Sequence, residues 1–218
     1  MQPGQSFSLA KIFRAVFVAI FVAIVSLVAP VLSHAAEDQG GTLDVLLFGN
    51  YNLTSVDTGN MSSNSSDGSW ANNFQSGGGG GLGIGYWLNN VVDFRVVAQA
   101  NIFPSSAQST LGLLTTGSFP LTAGAEVKLF GNSKVYLYGV ADAGAAYEIG
   151  LSTSSSSGSP SFKGATAWSA YADAGIGVNF YFLFAEVKMA YLAQLLPGNL
   201  VPGQTGFYYV PVSAGFNF

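Results

Sequence analysis

The sequence has no cysteine and a single histidine, His34. Without cysteine no disulfide framework can stiffen the fold, so stability has to come from backbone pairing and packing. Charge is equally scarce: Asp, Glu, Lys and Arg make up 8% of the 218 residues, against 49% hydrophobic ones. That is too little charge for an ordinary water-facing surface, and the length suits one domain rather than two. Long apolar runs are also missing, apart from one at the N-terminus. A bundle of membrane helices needs a run of ~20 apolar residues for every span, so that class is excluded.

The single apolar run goes from Ala15 to Leu32, preceded by Lys11 and Arg14 and followed by Ser33-His34-Ala35-Ala36 and then Glu37-Asp38. Basic, apolar and small residues in that order are the parts of a secretory signal. The pattern predicts a signal peptide over 1–36, cut at Ala35 or Ala36, ahead of a domain over 37–218. An uncleaved anchor helix is the other reading of so long a stretch, and Pro30 with the small-residue site favours cleavage. The remaining cations, Arg95, Lys128, Lys134, Lys163 and Lys188, face eleven carboxylates. This acidic balance argues against nucleic acid as a partner.

Beyond the signal, period-two segments alternate with stretches rich in Ser, Asn, Gly and Pro, the pattern of an all-β chain. Eight strands are predicted: Thr42 to Leu53, Gly77 to Leu88, Val91 to Ile102, Phe119 to Leu129, Lys134 to Tyr147, Ala165 to Asn179, Leu183 to Gln194 and Gly206 to Phe218. Each is long enough to cross a bilayer when tilted, which takes ~9 to 11 residues. The connections 54–76, 103–118, 148–164 and 195–205 are long, whereas Asn89-Asn90, 130–133 and 180–182 are tight. Strict alternation of long and short is what an up-and-down barrel needs to keep its tight turns at one end.

The faces of these segments differ in kind. Val92, Phe94, Val96, Ala98, Ala100 and Ile102 oppose Asp93, Arg95, Gln99 and Asn101. Phe119 to Leu129 and Leu183 to Tyr191 show the same split, with Val127 and Val187 apolar and Glu126, Lys128, Glu186 and Lys188 opposite. A cation at mid-depth facing lipid costs ~2–4 kcal/mol, so the charges are expected inside. The predicted lumen network is Asp44, Asp93, Arg95, Glu126, Lys128, Asp142, Asp173, Glu186 and Lys188. Its three cations do not neutralise its six acids, so ordered water or cations are expected to enter. Aromatic residues gather near strand ends, among them Tyr86, Trp87, Phe103, Trp168, Phe207 and Tyr209, as two interfacial girdles would require.

The Gly-rich second segment Gly77 to Tyr86, the alternating strands and the terminal Phe218 resemble the OmpA-like and OmpX-like small outer-membrane barrels of Gram-negative bacteria over the whole mature chain. The resemblance implies an outer-membrane location in the cell envelope, contact with outer-membrane lipid and handling by the barrel-assembly machinery, with Phe216 and Phe218 as the assembly signal. It implies a monomer whose lumen side chains fill, with a structural or surface-interaction role and an unnamed extracellular loop ligand. Two departures stand out: no peptidoglycan-binding domain follows, and Pro211 interrupts the last strand, where a bulge or a shorter strand is expected.

Catalysis is not expected. With His34 leaving in the signal, no usual base remains for a Ser or Cys nucleophile, and the histidine-dependent catalytic sets of outer-membrane barrel enzymes have no counterpart here. No cofactor and no metal site is expected. Gly78-x-Gly80-x-x-Gly83 matches a dinucleotide fingerprint only because the segment is so rich in glycine. The oxygen-rich loop from Asp57 to Asp67 does not have EF-hand spacing; a solvated loop is expected. The alternative class is a narrow porin-like or OmpW-like passive channel for small solutes or hydrophobic molecules. Bulky apolar residues facing inward near the outer rim would favour it, and Val140, Phe207 and Tyr209 are the candidates. A secreted lipocalin-like barrel would need charges outside, and there are too few.

Overall fold

A computed structural model describes residues 40–54, 74–105, 113–156, 159–193 and 206–218. Segment 1–36 with Ala35 and Ala36, and the loop from Asp57 to Asp67, lie outside the described residues. Eight strands follow in order: β1 (Leu43–Leu53), β2 (Gly77–Trp87), β3 (Val92–Pro104), β4 (Leu113–Gly131), β5 (Val135–Ser156), β6 (Ser159–Phe180), β7 (Leu183–Leu192) and β8 (Phe207–Asn217). Every strand pairs antiparallel with its sequence neighbours, and β1 closes on β8 from Leu46↔Asn217 to Leu53↔Val210. The fold is a closed, all-β, eight-stranded up-and-down barrel. Closure removes the sheet edges that would otherwise leave backbone groups unsatisfied.

The local chemistry of the tight turns explains where the strands reverse. Asn89 Oδ1 accepts from the N–H groups of Val91 (2.8 Å) and Val92 (2.9 Å). Asn132 Oδ1 does the same for Lys134 and Val135, both at 2.8 Å. Such Asx turns reproduce a backbone turn with a side chain. Gly131, beside the second of them, has φ +117°, and a Cβ there would strike the backbone of Val135. The β6–β7 turn holds Tyr181 at φ 60°, and its N–H donates to the Lys134 carbonyl at 2.6 Å.

Alternation decides what each strand shows to either side. Along β3, Asp93, Arg95, Val97, Gln99, Asn101 and Phe103 are buried while Phe94, Val96 and Ile102 stay exposed. Leu121, Ile176 and Val187 continue the exposed apolar surface on β4, β6 and β7. Charges inside and large hydrophobics outside is the reverse of a water-soluble barrel.

Four expectations need correcting. β4 begins at Leu113 instead of Phe119, and the segment 148–164 is mostly ladder, because β5 and β6 stay paired out to Ser156↔Ser159. Ser and Gly carry little strand signal, yet once Glu148↔Ala167 is in register each further rung satisfies backbone groups. Val127 is buried instead of exposed, as is Val91 in the adjoining turn, just before the register shift between Lys128 and Phe130. Pro211 causes neither a bulge nor a short strand. The register to β7 is unchanged from Val187↔Val212 to Ala190↔Tyr209, and the rungs missing between them, at Lys188 and Met189, are those that need the absent N–H.

Candidate functional site

Eight strands enclose a space just wide enough for side chains to fill, and here they fill it in layers. The middle layer is ionic. Arg95 donates from Nε to Asp142 Oδ1 (3.0 Å), from Nη2 to Asp142 Oδ2 (2.6 Å) and from Nη1 to Glu186 Oε1 (2.7 Å). It thereby joins β3 to β5 and β7 across the lumen with a bidentate fork, the geometry guanidinium supplies best. Lys188 Nζ lies 3.1 Å from Asp173 Oδ2 and 3.5 Å from both Asp142 Oδ2 and Glu186 Oε2. Tyr138 and Tyr171 donate their hydroxyls to Glu186 Oε1 (3.1 Å) and Asp173 Oδ2 (2.7 Å).

Glycine makes the room. Inward-facing Gly177 lies against the ring of Tyr138, and Gly81 against the ring of Phe48, so that a Cβ at either position would collide with them. The glycines of β2 therefore accommodate side chains of adjacent strands, such as Phe48 of β1 and Asp93 of β3.

Above the ionic layer lies an amide layer. Asn50 and Asn52 both donate to Asn101 Oδ1, at 2.8 and 3.1 Å. An aromatic plug then closes the loop end. Phe103 packs edge-on against Phe207 (5.4 Å) and Tyr209 (5.1 Å), while Phe74 and Leu192 complete the cluster. The turn end has its own plug, where Trp87 and Tyr136 meet edge to face at 5.9 Å, with Tyr138 and Val140 beside them. Lys128 Nζ sits 4.4 Å from the Tyr136 ring centre and 5.0 Å from that of Trp87, within cation–π range. Trp87 Nε1 donates to Asp44 Oδ2, which Asn217 Nδ2 also reaches at 3.4 Å.

The nine charged residues picked out by parity thus divide. Arg95, Asp142, Asp173, Glu186 and Lys188 form one connected cluster, and Glu126 touches it at 4.0 Å from Arg95 Nη1. Asp44 and Lys128 belong to the turn-end mouth, and Asp93 lies between the two, buried on β3. The sequence reading placed Trp87 and Phe103 only in girdles, although they are 2% and 0% exposed, whereas Phe207 and Tyr209, offered also as inward-facing residues near the outer rim, are both buried in the loop-end plug. Their parity was a usable signal: Phe103 follows Asp93, Arg95 and Asn101 at even spacing. Val140 lies in the turn-end plug instead of near the outer rim. Tyr86, Phe130, Trp168 and Phe180 to Phe182 do face outward. Among the described residues no three His, Cys, Asp or Glu side chains are grouped to hold a metal.

No protein-family model matches the sequence, and no curated protein does. Solved structures do show similarity. The N-terminal β-barrel domain of OprF from Pseudomonas aeruginosa is 17% identical, over 82% of this chain and 98% of that one, with a TM-score of 0.41. Ail, the attachment invasion locus protein of Yersinia pestis, is 15% identical over 83% and 100%, with a TM-score of 0.46. Neisserial surface protein A is 15% identical over 82% and 98%, also at 0.46.

Proposed function

We propose that the mature chain is an integral outer-membrane barrel with a structural or surface-interaction role, closed to solutes and without catalytic activity. One observation carries this reading: Arg95, Asp142, Asp173, Glu186 and Lys188 are buried inside and engaged with one another, between two aromatic plugs, while the outer wall is apolar. A wall of that kind is solvated by acyl chains, and a lumen of that kind has no continuous water column. On this reading the chain is exported by segment 1–36, inserted as a monomer by the barrel-assembly machinery with Phe216 and Phe218 as the signal, and displays its longer loops outside the cell.

Liposome swelling with solutes of graded size, together with conductance across planar bilayers, tests the closed lumen. The expected outcome is no swelling above empty liposomes and no current steps. Swelling that falls off with solute size would replace this reading by the narrow-pore one.

A further inference from the structure

One buried carboxyl stands apart from the ionic layer. Glu148 of β5 is 0% exposed at the loop end. Its Oε1 accepts from Ser118 Oγ at 2.9 Å, while Oε2 has no hydrogen-bond partner. The ion pairs among the described residues all belong to Arg95 or Lys188, and none of them reaches Glu148.

The described faces packed around it supply no cation either. On β4, Ser118 lies directly opposite, and Thr116, two residues nearer the strand's start, is buried on the same face. On β6 the opposed residue is Ala167, followed inward by buried Ser169 and Tyr171. Ala146, two residues before Glu148 on β5, belongs to the loop-end cluster with Phe74, Phe103, Leu192, Phe207 and Tyr209. The Tyr209 hydroxyl is within electrostatic reach of the carboxyl. The titratable groups on these faces are thus Tyr171 and Tyr209, with Asp173 deeper and held by Tyr171 and Lys188.

Glu148 follows Tyr147, whose ring packs at 5.2 Å on the outward-facing Trp168. Such a pair marks the membrane interface, so Glu148 stands on the loop side of the hydrocarbon. Burial pushes its carboxyl up from 4.5 to about 8, and the Ser118 hydrogen bond opposes this only in part. A carboxylate without a cation is tolerated at such a place only when water reaches it.

We propose that Glu148 is a pH-sensitive latch on the loop-end plug: protonated, it lets the aromatic cluster close beside it, and ionised, it draws water into the loop end and loosens that cluster. The ionic layer below keeps its own partners. The inference goes beyond the closed-lumen reading, and a barrel that conducts at every pH would remove that reading and leave the latch standing.

An unfolded glutamate gives up its proton near 4.5 and the folded one near 8, so between these values folding takes up a proton and stability falls as pH rises. One such group changes the folding equilibrium constant by about tenfold per pH unit inside that window and no further above it. Urea unfolding of the full mature barrel in zwitterionic detergent, from pH 5 to pH 9, compares the native protein with Glu148→Gln. Other lumen acids titrate in both proteins, so the difference isolates Glu148. The substituted barrel is expected to gain on the native one steadily with pH. A gap that does not change with pH overturns the latch.

Loosening is read separately. The chain has no cysteine, so A146C places a single thiol inside the plug. Its reaction with a charged methanethiosulfonate, normalised to a free thiol at each pH, is expected to accelerate towards pH 9 and to stay slow in A146C/E148Q. In A146C/S118A, which lacks the hydrogen bond to the charged form, the acceleration moves to higher pH. A rate that is flat with pH in A146C, or a profile unmoved by both second substitutions, overturns the proposal.

Discussion

Arg95 is the residue on which the most charge depends, since its fork is shared by Asp142 and Glu186 with Glu126 at its margin. Removing one partner from a buried ionic cluster costs about 3–5 kcal/mol, because the remaining charges are left without compensation. Arg95→Met should therefore lower folding stability by that amount in urea unfolding of the detergent-folded barrel. Arg95→Lys should recover only part of it, because an ammonium cannot reproduce the bidentate contact. Glycines offer a contrast on the same scale. A Cβ at Gly177 meets the Tyr138 ring, whereas at Gly49 the nearest atom is the Gly79 carbonyl oxygen at 3.9 Å. Gly177→Ala should cost about 1–3 kcal/mol through overpacking, and Gly49→Ala should be neutral within ~0.5 kcal/mol. Equal effects from the two would contradict the packing described.

At the scale of one element, β3 shows how much a strand's parity decides. Its odd-numbered residues enter the lumen and its even-numbered ones meet the exterior. A one-residue slip would carry Asp93 and Arg95 into lipid and Phe94 and Val96 into the ionic layer. Val96→Arg on the outward face is expected to destabilise by about 2–4 kcal/mol in bilayer refolding titrations. A negligible cost would mean that this face does not meet hydrocarbon. β8 shows that a local rule can be broken cheaply: Pro211 forfeits rungs to β7 while β8 keeps its full pairing with β1 through Asn52↔Pro211.

On the scale of the molecule, closure is what converts parity into a function. The β1–β8 seam ends with Val45 and Phe218 exchanging backbone hydrogen bonds at 2.9 and 3.0 Å, so Phe218 takes part in closing the cylinder. Within it the ionic layer is flanked by plugs at both ends, and a solute would have to displace all three in series. The aromatic cluster at the loop end gives the chain an apolar outer mouth, but its floor is charged and occupied. A passage for hydrophobic molecules would need the reverse, a continuous apolar route.

The amino-acid sequence by itself determined the strand number, the side of the wall on which each charge lies, and the end at which the tight turns sit. These are local properties: successive Cβ atoms alternate, and Asn, Gly and short spacers reverse the chain where they occur. Only the tertiary structure decided which acid meets which base, since Arg95 finds Asp142 and Glu186 at separations of 47 and 91 residues. It also decided that Trp87 and Phe103 turn into the lumen and do not ring the membrane, and that β5 and β6 continue past Tyr147 and Ala165. The reason is geometric. Parity says only in or out, whereas contact across a lumen depends on register, tilt and closure together, and no single strand carries that information.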